Sequence, residues 1–559
     1  MIEMKYIQYI LLILLPVIGI TPALHAQDDW ERIEEGEIED ASFIVEKRLE
    51  IELPQQRREF EKIPPLPAKP TSQGIGTYNY MSIVPEISNL NIPNRALKLK
   101  SQPLERFYGG NVTAGFGNYF TPYLDASLFN KRESKYSLGL KFNHLSSRNG
   151  PVDKENSGSS DTGASLDTRY YGEKLTVGAK LKYNRKMVHY YGYPDSLEVN
   201  ADSIKQVYNG MNIGLWLGNT DKKEDFDYII DANYNYLNDK RFSMRESKTE
   251  INLRSNYFLK EGFRFHLDVN TMFSSYANPE SLSRNLIKVK PYVFYTLGQF
   301  DFTGGLNFVF QNDTISTRSS VLMFPFLQAE YNLNDYYQLF LRMDGDVEQV
   351  DLQSVIEENP FLNQDLALLH SNRKFGIDWG IRGNVNNYFN FLLGFKLSEY
   401  KDLYFFLNDS TTLSAFNMVY DHENTSVMNI YGELVYSRIR NYNLAIRVDY
   451  FNYSTKSLAE AWHRPGYQLT GTVRYNLYDK IIVGSNLYFI GGMKAYDFNA
   501  DEIIKLDPIL DLNLSVQYLF SDRLGAFLRF DNITGKNYER YWRYPSRGIQ
   551  IIGGVSINF

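Results

Sequence analysis

The side chains best placed to do chemistry in this sequence are His266 and its two charged neighbours, Arg264 and Asp268. A histidine between a cation and a carboxylate could act as a general base. None of the seven histidines forms a zinc-type pair such as HExxH, and cysteine is absent, which excludes thiolate ligands and thiol nucleophiles. We interpret His266 instead as part of a ladder of paired polar groups on one face of a strand. We therefore predict no enzyme, no catalytic residue, no metal site and no cofactor.

A second candidate is the aromatic and basic segment KNYERYWRYPSR. Aromatic rings can stack on sugars, and guanidinium groups bind phosphate oxygens through paired hydrogen bonds. An external loop with this composition could contact lipopolysaccharide or sugars through Arg540, Tyr541, Trp542, Arg543 and Arg547. The alternative is that the segment belongs to the architecture of the protein. The acidic stretch near Val350–Asp365 is expected to be a solvated external face.

The elements that must position these residues are strands. From Phe107 to Phe559 apolar and polar residues alternate with period two, which is typical of strands between two different environments. The polar faces of two such segments carry the candidate lumen residues Arg264, His266, Asp268, Arg447 and Asp449.

The links between these segments alternate in length. Short links such as Gly172–Lys174 and Tyr478–Lys480 alternate along the chain with long polar links. The long links include Val350–Arg373, Ser275–Asn285 and Lys401–Thr425. A soluble sandwich would share the strand pattern, but short periplasmic turns and long external loops are typical of an outer-membrane barrel. We predict an all-β fold, a transmembrane antiparallel β-barrel of about 22 strands (range roughly 18–24), with both termini periplasmic.

The region before the barrel has a different composition. Residues 1–26 are interpreted as a signal peptide, with Lys5 before an apolar run and Ala26 at the cleavage position. Residues 27–106 form an acidic, Pro-rich periplasmic extension. It could be a disordered leader, or Phe43–Leu53 could add a strand to a periplasmic or outer-membrane partner or obstruct the pore. The net charge of −7 argues against a nucleic-acid partner.

The last segment, GIQIIGGVSINF, alternates up to an aromatic final residue. Ile551, Val555 and Ile557 share a face with Phe559. Such a strand is the usual signal for barrel insertion, because it is an edge that can template pairing. We therefore expect the barrel-assembly machinery to be a partner.

The stretch from Leu528 to Phe559 resembles the end of TonB-dependent receptors. The matching motif positions are Asn532, Tyr538, Tyr544, Pro545 and Gly548. The resemblance covers the barrel region, implies 22 strands, and favours a structural interpretation of the aromatic and basic segment. The sequence departs from the family before the barrel, where residues 27–106 contain no recognisable plug domain.

Together these patterns predict a receptor-like barrel for the transport or passage of a solute across a Gram-negative outer membrane. It would contact outer-membrane lipid and lipopolysaccharide, and its charged lumen residues would set selectivity. The alternative is a non-transporting barrel, a scaffold or accessory subunit of a larger outer-membrane complex that is docked through its N-terminal extension.

Overall fold

The computed structural model describes the part of the chain that the sequence assigns to the barrel. The described residues are 108–130, 135–194, 196–219, 226–278, 280–313, 320–364, 366–386, 388–438 and 441–559. The predicted signal peptide and the extension of residues 27–106 lie outside the described residues.

Most of the described chain is β-strand, as the period-two alternation predicts. The strands are β1 (Gly110–Gly117), β2 (Thr121–Phe129), β3 (Tyr136–Ser147), β4 (Ser159–Tyr171), β5 (Leu175–His189), β6 (Lys205–Asn219), β7 (Phe226–Asp239), β8 (Arg245–Lys260), β9 (Phe263–Asn278), β10 (Glu280–Leu297), β11 (Phe300–Gln311), β12 (Val321–Asn332), β13 (Tyr337–Glu348), β14 (Ser371–Asn386), β15 (Phe389–Asn408), β16 (Phe416–Arg438), β17 (Tyr442–Ser454), β18 (Tyr467–Leu477), β19 (Ile481–Gly491), β20 (Lys494–Asp497), β21 (Glu502–Lys505), β22 (Ile509–Leu519), β23 (Leu524–Asp531) and β24 (Gln550–Asn558). A short helix, α1 (Leu352–Glu358), lies between β13 and β14. Single 3-10 turns occupy Lys154–Ser157 and Ala201–Ser203. Strands β20 and β21 form a separate hairpin, and the others form one 22-stranded sheet.

This sheet closes into a barrel because β1 pairs in antiparallel register with both β2 and β24. At the seam the Phe559 N–H donates to the Gly110 carbonyl at 2.9 Å, and the Gly110 N–H returns the bond at 3.0 Å. The side chains of Ile551, Val555, Ile557 and Phe559 are exposed on the outside. The 22 described strands of this sheet leave no free edge, which confirms the predicted fold class.

Alternate side chains give the barrel two different surfaces. On β9, Phe265 and Phe273 are exposed on the outside, so Arg264, His266 and Asp268 face the lumen. Exposed apolar side chains continue around the outer surface, for example Leu140, Leu215, Phe310, Leu393, Val448 and Leu528. A membrane barrel presents such an apolar band to lipid. No helix in the described part of the chain is long and apolar enough to span a membrane.

The two rims of the barrel differ as predicted. Links at one rim are short, for example residues 172–174, 261–262, 298–299 and 478–480. Most links at the other rim, which we call the long-loop rim, are longer, for example residues 148–158, 190–204, 349–370, 455–466, 492–508 and 532–549.

Two of the predicted long links are wrong. In place of Ser275–Asn285, β9 and β10 leave a single residue between them. In place of Lys401–Thr425, β15 and β16 form a tall hairpin whose pairing continues from Leu403 to Asn408. The upper part of the β15–β16 hairpin is packed within the long-loop rim, where Leu403, Phe405 and Phe406 are buried. The sequence there loses the alternation by which a strand is identified.

Candidate functional site

The histidine singled out from the sequence is a member of the barrel wall. His266 Nδ1 lies within hydrogen-bond distance of Asn256 Oδ1, and its ring stacks on Tyr292 with centroids 4.7 Å apart. No group of three or more His, Asp and Glu side chains among the described residues is placed to hold a metal ion. These two contacts place His266 between β8 and β10 in the wall, and its assignment to a polar ladder stays a prediction.

The charges beside His266 also contact neighbouring strands. The Arg264 guanidinium lies 4.7 Å from the ring centroid of Phe294, a cation–π distance. Asp268 is in register with Arg254 on β8 and Lys290 on β10. One carboxylate between two cationic side chains gives this part of the lumen wall charges of both signs, with the positive sign in excess.

Arg447 and Asp449 form a similar group on β17. Arg447 Nε lies 2.9 Å from Asp449 Oδ2, and Arg447 Nη1 lies 3.3 Å from Glu433 Oε2 on β16. The same guanidinium lies 5.4 Å from the ring centroid of Tyr431. The structure thus places all five predicted lumen residues in the wall, in two groups eight strands apart, rather than in one site.

The link between β13 and β14, residues 349–370, is the central feature of the long-loop rim, and we call it the cap loop. Its helix α1 begins after Asp351, whose carboxylate accepts a hydrogen bond from the Ser354 N–H at 2.9 Å. Leu352, Val355 and Ile356 of α1 are buried in an apolar cluster built from several strands and loops. The expected solvated face at Val350–Asp365 is therefore wrong, because the apolar side chains of this segment are packed inside.

One end of the cap loop is held by buried charges on β8. Lys248 Nζ lies 2.8 Å from Asp351 Oδ2, and Glu246 accepts the Leu352 N–H at 2.9 Å. Burial alone would raise the pKa of Asp351, but the charge of Lys248 and the hydrogen bonds from Lys248, Ser354 and Gln349 together lower this pKa below its usual range. Asp351 therefore remains a carboxylate that both caps the helix and pairs with the wall.

The other end of α1 is held from a different direction. Glu358 accepts hydrogen bonds from Arg464 Nη1 at 2.8 Å and from Tyr404 Oη at 2.6 Å. Its backbone carbonyl accepts a hydrogen bond from Tyr541 Oη at 2.8 Å. Burial raises the pKa of Tyr541 to about 12, so this hydroxyl remains protonated and donates.

Tyrosines on β6 and at the end of β5 hold the segment of the cap loop after α1. Tyr190 Oη donates to the Leu362 carbonyl at 2.7 Å, and Tyr208 Oη donates to the Pro360 carbonyl at 2.8 Å. Because the anchoring residues lie on β6, β8 and β15 and on three other links, the cap loop reaches across the mouth of the barrel. Buried hydrogen bonds of this kind are costly to break, since each leaves an unsatisfied polar group.

The five candidate external contacts belong to the link of residues 532–549 and are mostly engaged inside the rim. Arg540 Nη1 donates to the His463 carbonyl at 2.6 Å, and the Trp542 N–H donates to His463 Nε2 at 3.3 Å. Tyr541 is buried, and the Arg543 guanidinium lies 4.5 Å from the Trp542 ring centroid. Arg547 reaches across to β4. These contacts support the structural interpretation of the segment, and its contact with lipopolysaccharide stays a prediction.

Asn532 organises the start of the same link. It is buried with a left-handed φ of 50°, and its Nδ2 donates to the carbonyls of Lys536 and Arg547 at 2.8 and 2.7 Å. Asparagine tolerates this backbone conformation better than most residues, because its short side chain can bond locally. This motif position is therefore explained by loop geometry.

The remaining motif positions also lie in the packed part of the rim. The Tyr544 ring stacks on Phe361 of the cap loop with centroids 3.8 Å apart. Tyr538 Oη donates to the Asp511 carboxylate. Pro545 forms a bridge with Glu539, and a Cβ at Gly548 would lie 3.4 Å from Tyr119 Oη.

A cavity of about 300 Å³ lies between the cap loop, the link of residues 532–549 and the wall formed by β4, β5 and β22–β24. Sequence reasoning did not find it. Its polar lining includes His189, Asp511, Asp531, Arg547 and Gln550. Asp511 lies on the polar face of its alternating strand, but the sequence does not show which loop covers it.

Comparison with known proteins shows similarity in fold only. No family model matches the sequence, and no curated protein matches it. The FrpB iron transporter from Neisseria meningitidis is 11% identical with a TM-score of 0.61, covering 82% of each chain. The siderophore receptor PirA from Acinetobacter baumannii is 12% identical with a TM-score of 0.63, covering 82% of this chain and 81% of that one. The copper transporter OprC is 13% identical with a TM-score of 0.58, covering 82% of each chain. The described barrel thus has the 22-strand fold of TonB-dependent receptors, as the C-terminal motif implied.

Proposed function

We propose that this receptor-type barrel admits a solute across the outer membrane and that the cap loop is its gate. The observation that carries the proposal is a closed barrel with charged inner walls whose long-loop mouth is crossed by an inward-folded segment. An interior of 22 strands is wide enough to need such a closure. The solved structures of the same fold include an iron transporter, a siderophore receptor and a copper transporter, rather than enzymes.

In this proposal the long-loop rim is external, and the short turns and both termini are periplasmic. Short periplasmic turns and long external loops are the usual arrangement of such barrels. The solute would pass the two charged groups of the wall, around Arg264 and Asp268 and around Arg447 and Asp449. Because each group contains charges of both signs, we expect the wall to favour polar solutes and to select only weakly between cations and anions.

Conductance of the purified barrel in planar bilayers tests the gate. Replacing residues 352–367 with a short Gly/Ser linker removes α1 and most of the cap loop without altering a strand. We expect little or no conductance from the unaltered chain and stable, larger channels from this variant. A matched control replaces the hairpin β20–β21 with the same linker and is expected to conduct like the unaltered chain. The proposal would be contradicted if none of the three barrels conducted ions.

The second candidate is a non-transporting scaffold or accessory subunit. The many buried hydrogen bonds that fix the cap loop favour it, since a permanently closed mouth needs no opening step. Such a subunit would dock to an outer-membrane complex through residues 27–106. A pull-down from native outer membrane with the full chain and with residues 27–106 deleted tests this candidate. A partner that copurifies only with the full chain would support it, and the absence of any partner would count against it.

A further inference from the structure

The cavity beneath the cap loop contains a carboxylate with no counter-ion among the described residues. Asp511 accepts a hydrogen bond from Tyr538 Oη through one oxygen. Its other oxygen, Oδ1, is buried and has no hydrogen-bond partner in the described part of the chain. The neighbouring Asp531 differs, because Arg529 Nη2 lies 2.7 Å from its carboxylate. A buried charge left in this way is costly unless a cation or donor from outside the chain satisfies it.

The same cavity contains a guanidinium that is bonded only to neutral groups. Arg547 Nη2 donates to Ser159 Oγ at 2.8 Å, and Arg547 Nε donates to the Asn149 carbonyl at 3.4 Å. Burial lowers the pKa of Arg547. A guanidinium has five N–H donors in a planar fork, so donors remain for a carboxylate.

Asp511 and Arg547 do not neutralise each other. Both line the cavity, yet they form no ion pair within 4.0 Å. The same cavity is also lined by Val188 and by the rings of Tyr191 and Phe361. Its lining therefore combines an acidic group, a basic group and apolar surface, and its volume of about 300 Å³ is at the lower limit for small-ligand pockets.

We infer that this cavity binds a small zwitterion, an amino acid or a dipeptide, with its ammonium on Asp511 and its carboxylate on Arg547. One such ligand satisfies both charges at once, whereas a simple anion or cation would satisfy only one. A phosphorylated ligand large enough to fill the cavity would place its charge near two carboxylates, Asp511 and Asp531. Binding also brings the ligand against Phe361 of the cap loop. The inference rests on the proposed passage of a solute and names the class of that solute.

Equilibrium binding of dialanine to the purified full-length barrel in detergent, measured by calorimetry, tests this inference. We expect binding to the unaltered chain and a loss of about tenfold or more in affinity for Asp511→Asn and for Arg547→Gln, since each removes one charge-assisted hydrogen bond. Asp511→Asn retains an acceptor for Tyr538, so the rim is expected to stay folded. Heat-dependent migration on gels checks folding of each variant.

Two control variants match the charge changes at the opposite rim. Asp522→Asn and Arg523→Gln lie in an exposed turn and should bind dialanine like the unaltered chain. N-acetyl-dialanine lacks the ammonium, and dialanine amide lacks the carboxylate, so both should bind more weakly than dialanine. The inference is overturned if dialanine fails to bind at millimolar concentration, or if the acetylated form binds equally well. Because this measurement needs no conductance, a barrel that conducts but does not bind dialanine contradicts only the ligand class.

Discussion

At the scale of single residues, the long-loop rim depends on side chains that satisfy backbone groups. Asn532 shows this most directly, since one amide group bonds two carbonyls of its own link while its backbone takes a left-handed conformation. The sequence motif marks this position, but the motif alone does not explain it. The structure supplies the reason, because a turn that returns to β24 needs these two carbonyls held together.

Asn532→Ala is expected to lower the free energy of unfolding by about 3 kcal/mol. The loss combines two hydrogen bonds to carbonyls with the strain of alanine at a left-handed φ. Guanidinium unfolding of the refolded barrel measures it. Asn537→Ala in the same link is the control, because Asn537 is exposed, and it should change stability by less than about 0.5 kcal/mol. Equal effects of the two variants would contradict this account of the motif.

At the scale of elements, the rim is held by contacts between links that are far apart in the sequence. His463 shows how such a contact fixes a protonation state. Its Nδ1 lies 2.8 Å from the Phe406 carbonyl and its Nε2 accepts the Trp542 N–H, so the ring is neutral with its proton on Nδ1. Burial lowers the pKa of His463 to about 4.

The stability of the rim is therefore expected to fall as the pH drops. The folded pKa of about 4 lies below the ordinary value near 6.5, so the stabilisation is complete above pH 6.5 and is lost as the pH falls towards 4. The loss amounts to about 3 kcal/mol. Tryptophan fluorescence in denaturant titrations at several pH values reports it, since Trp462 and Trp542 flank this histidine.

Two variants separate His463 from other titrating groups. His463→Gln can keep a donor for Phe406 and an acceptor for Trp542, and it should remove most of the dependence on pH between 4 and 6.5. His422→Gln alters a histidine whose side chain is exposed, so it should retain that dependence. An unchanged pH profile in His463→Gln would show that another group is responsible.

At the scale of the whole molecule, stability depends on which face of a strand a residue occupies. Val473 and Thr472 are adjacent on β18 but point in opposite directions. Val473 lies between Leu444 and Ser485 on the lipid face, and Thr472 is exposed to the lumen. In a membrane barrel the outer face contacts hydrocarbon, whereas the inner face contacts a polar interior.

Val473→Arg should therefore destabilise the barrel by about 2 kcal/mol, since it places a guanidinium against hydrocarbon. Thr472→Arg, one residue away, should change stability by less than about 1 kcal/mol because it places the same group in the polar lumen. Guanidinium unfolding of both variants in lipid bilayers compares them. A larger loss in Thr472→Arg would mean that the inside and outside of this strand have been assigned the wrong way round.

The sequence alone determined the barrel fold. Its apolar and polar residues alternate with a period of two because each strand lies between lipid and a polar interior. It also determined the difference between the rims and placed Arg264, His266, Asp268, Arg447 and Asp449 on polar faces. It failed where strands leave the membrane, as in the hairpin of β15 and β16, because the alternation ends before the pairing does. The apolar spacing of Leu352, Val355 and Ile356 was a usable helical signal inside the acidic segment.

Only the tertiary structure decided which link crosses the mouth and which charges lack a counter-ion among the described residues. The cap loop is fixed by residues as distant in the chain as Lys248, Tyr190 and Tyr541, and no local pattern records such pairings. Asp511 and Arg547 likewise share a cavity only because β22 and the link before β24 meet under Phe361. The alternation of apolar and polar residues indicates the environment of each residue. A binding site depends instead on which residues come into contact, and these contacts form only when the barrel closes.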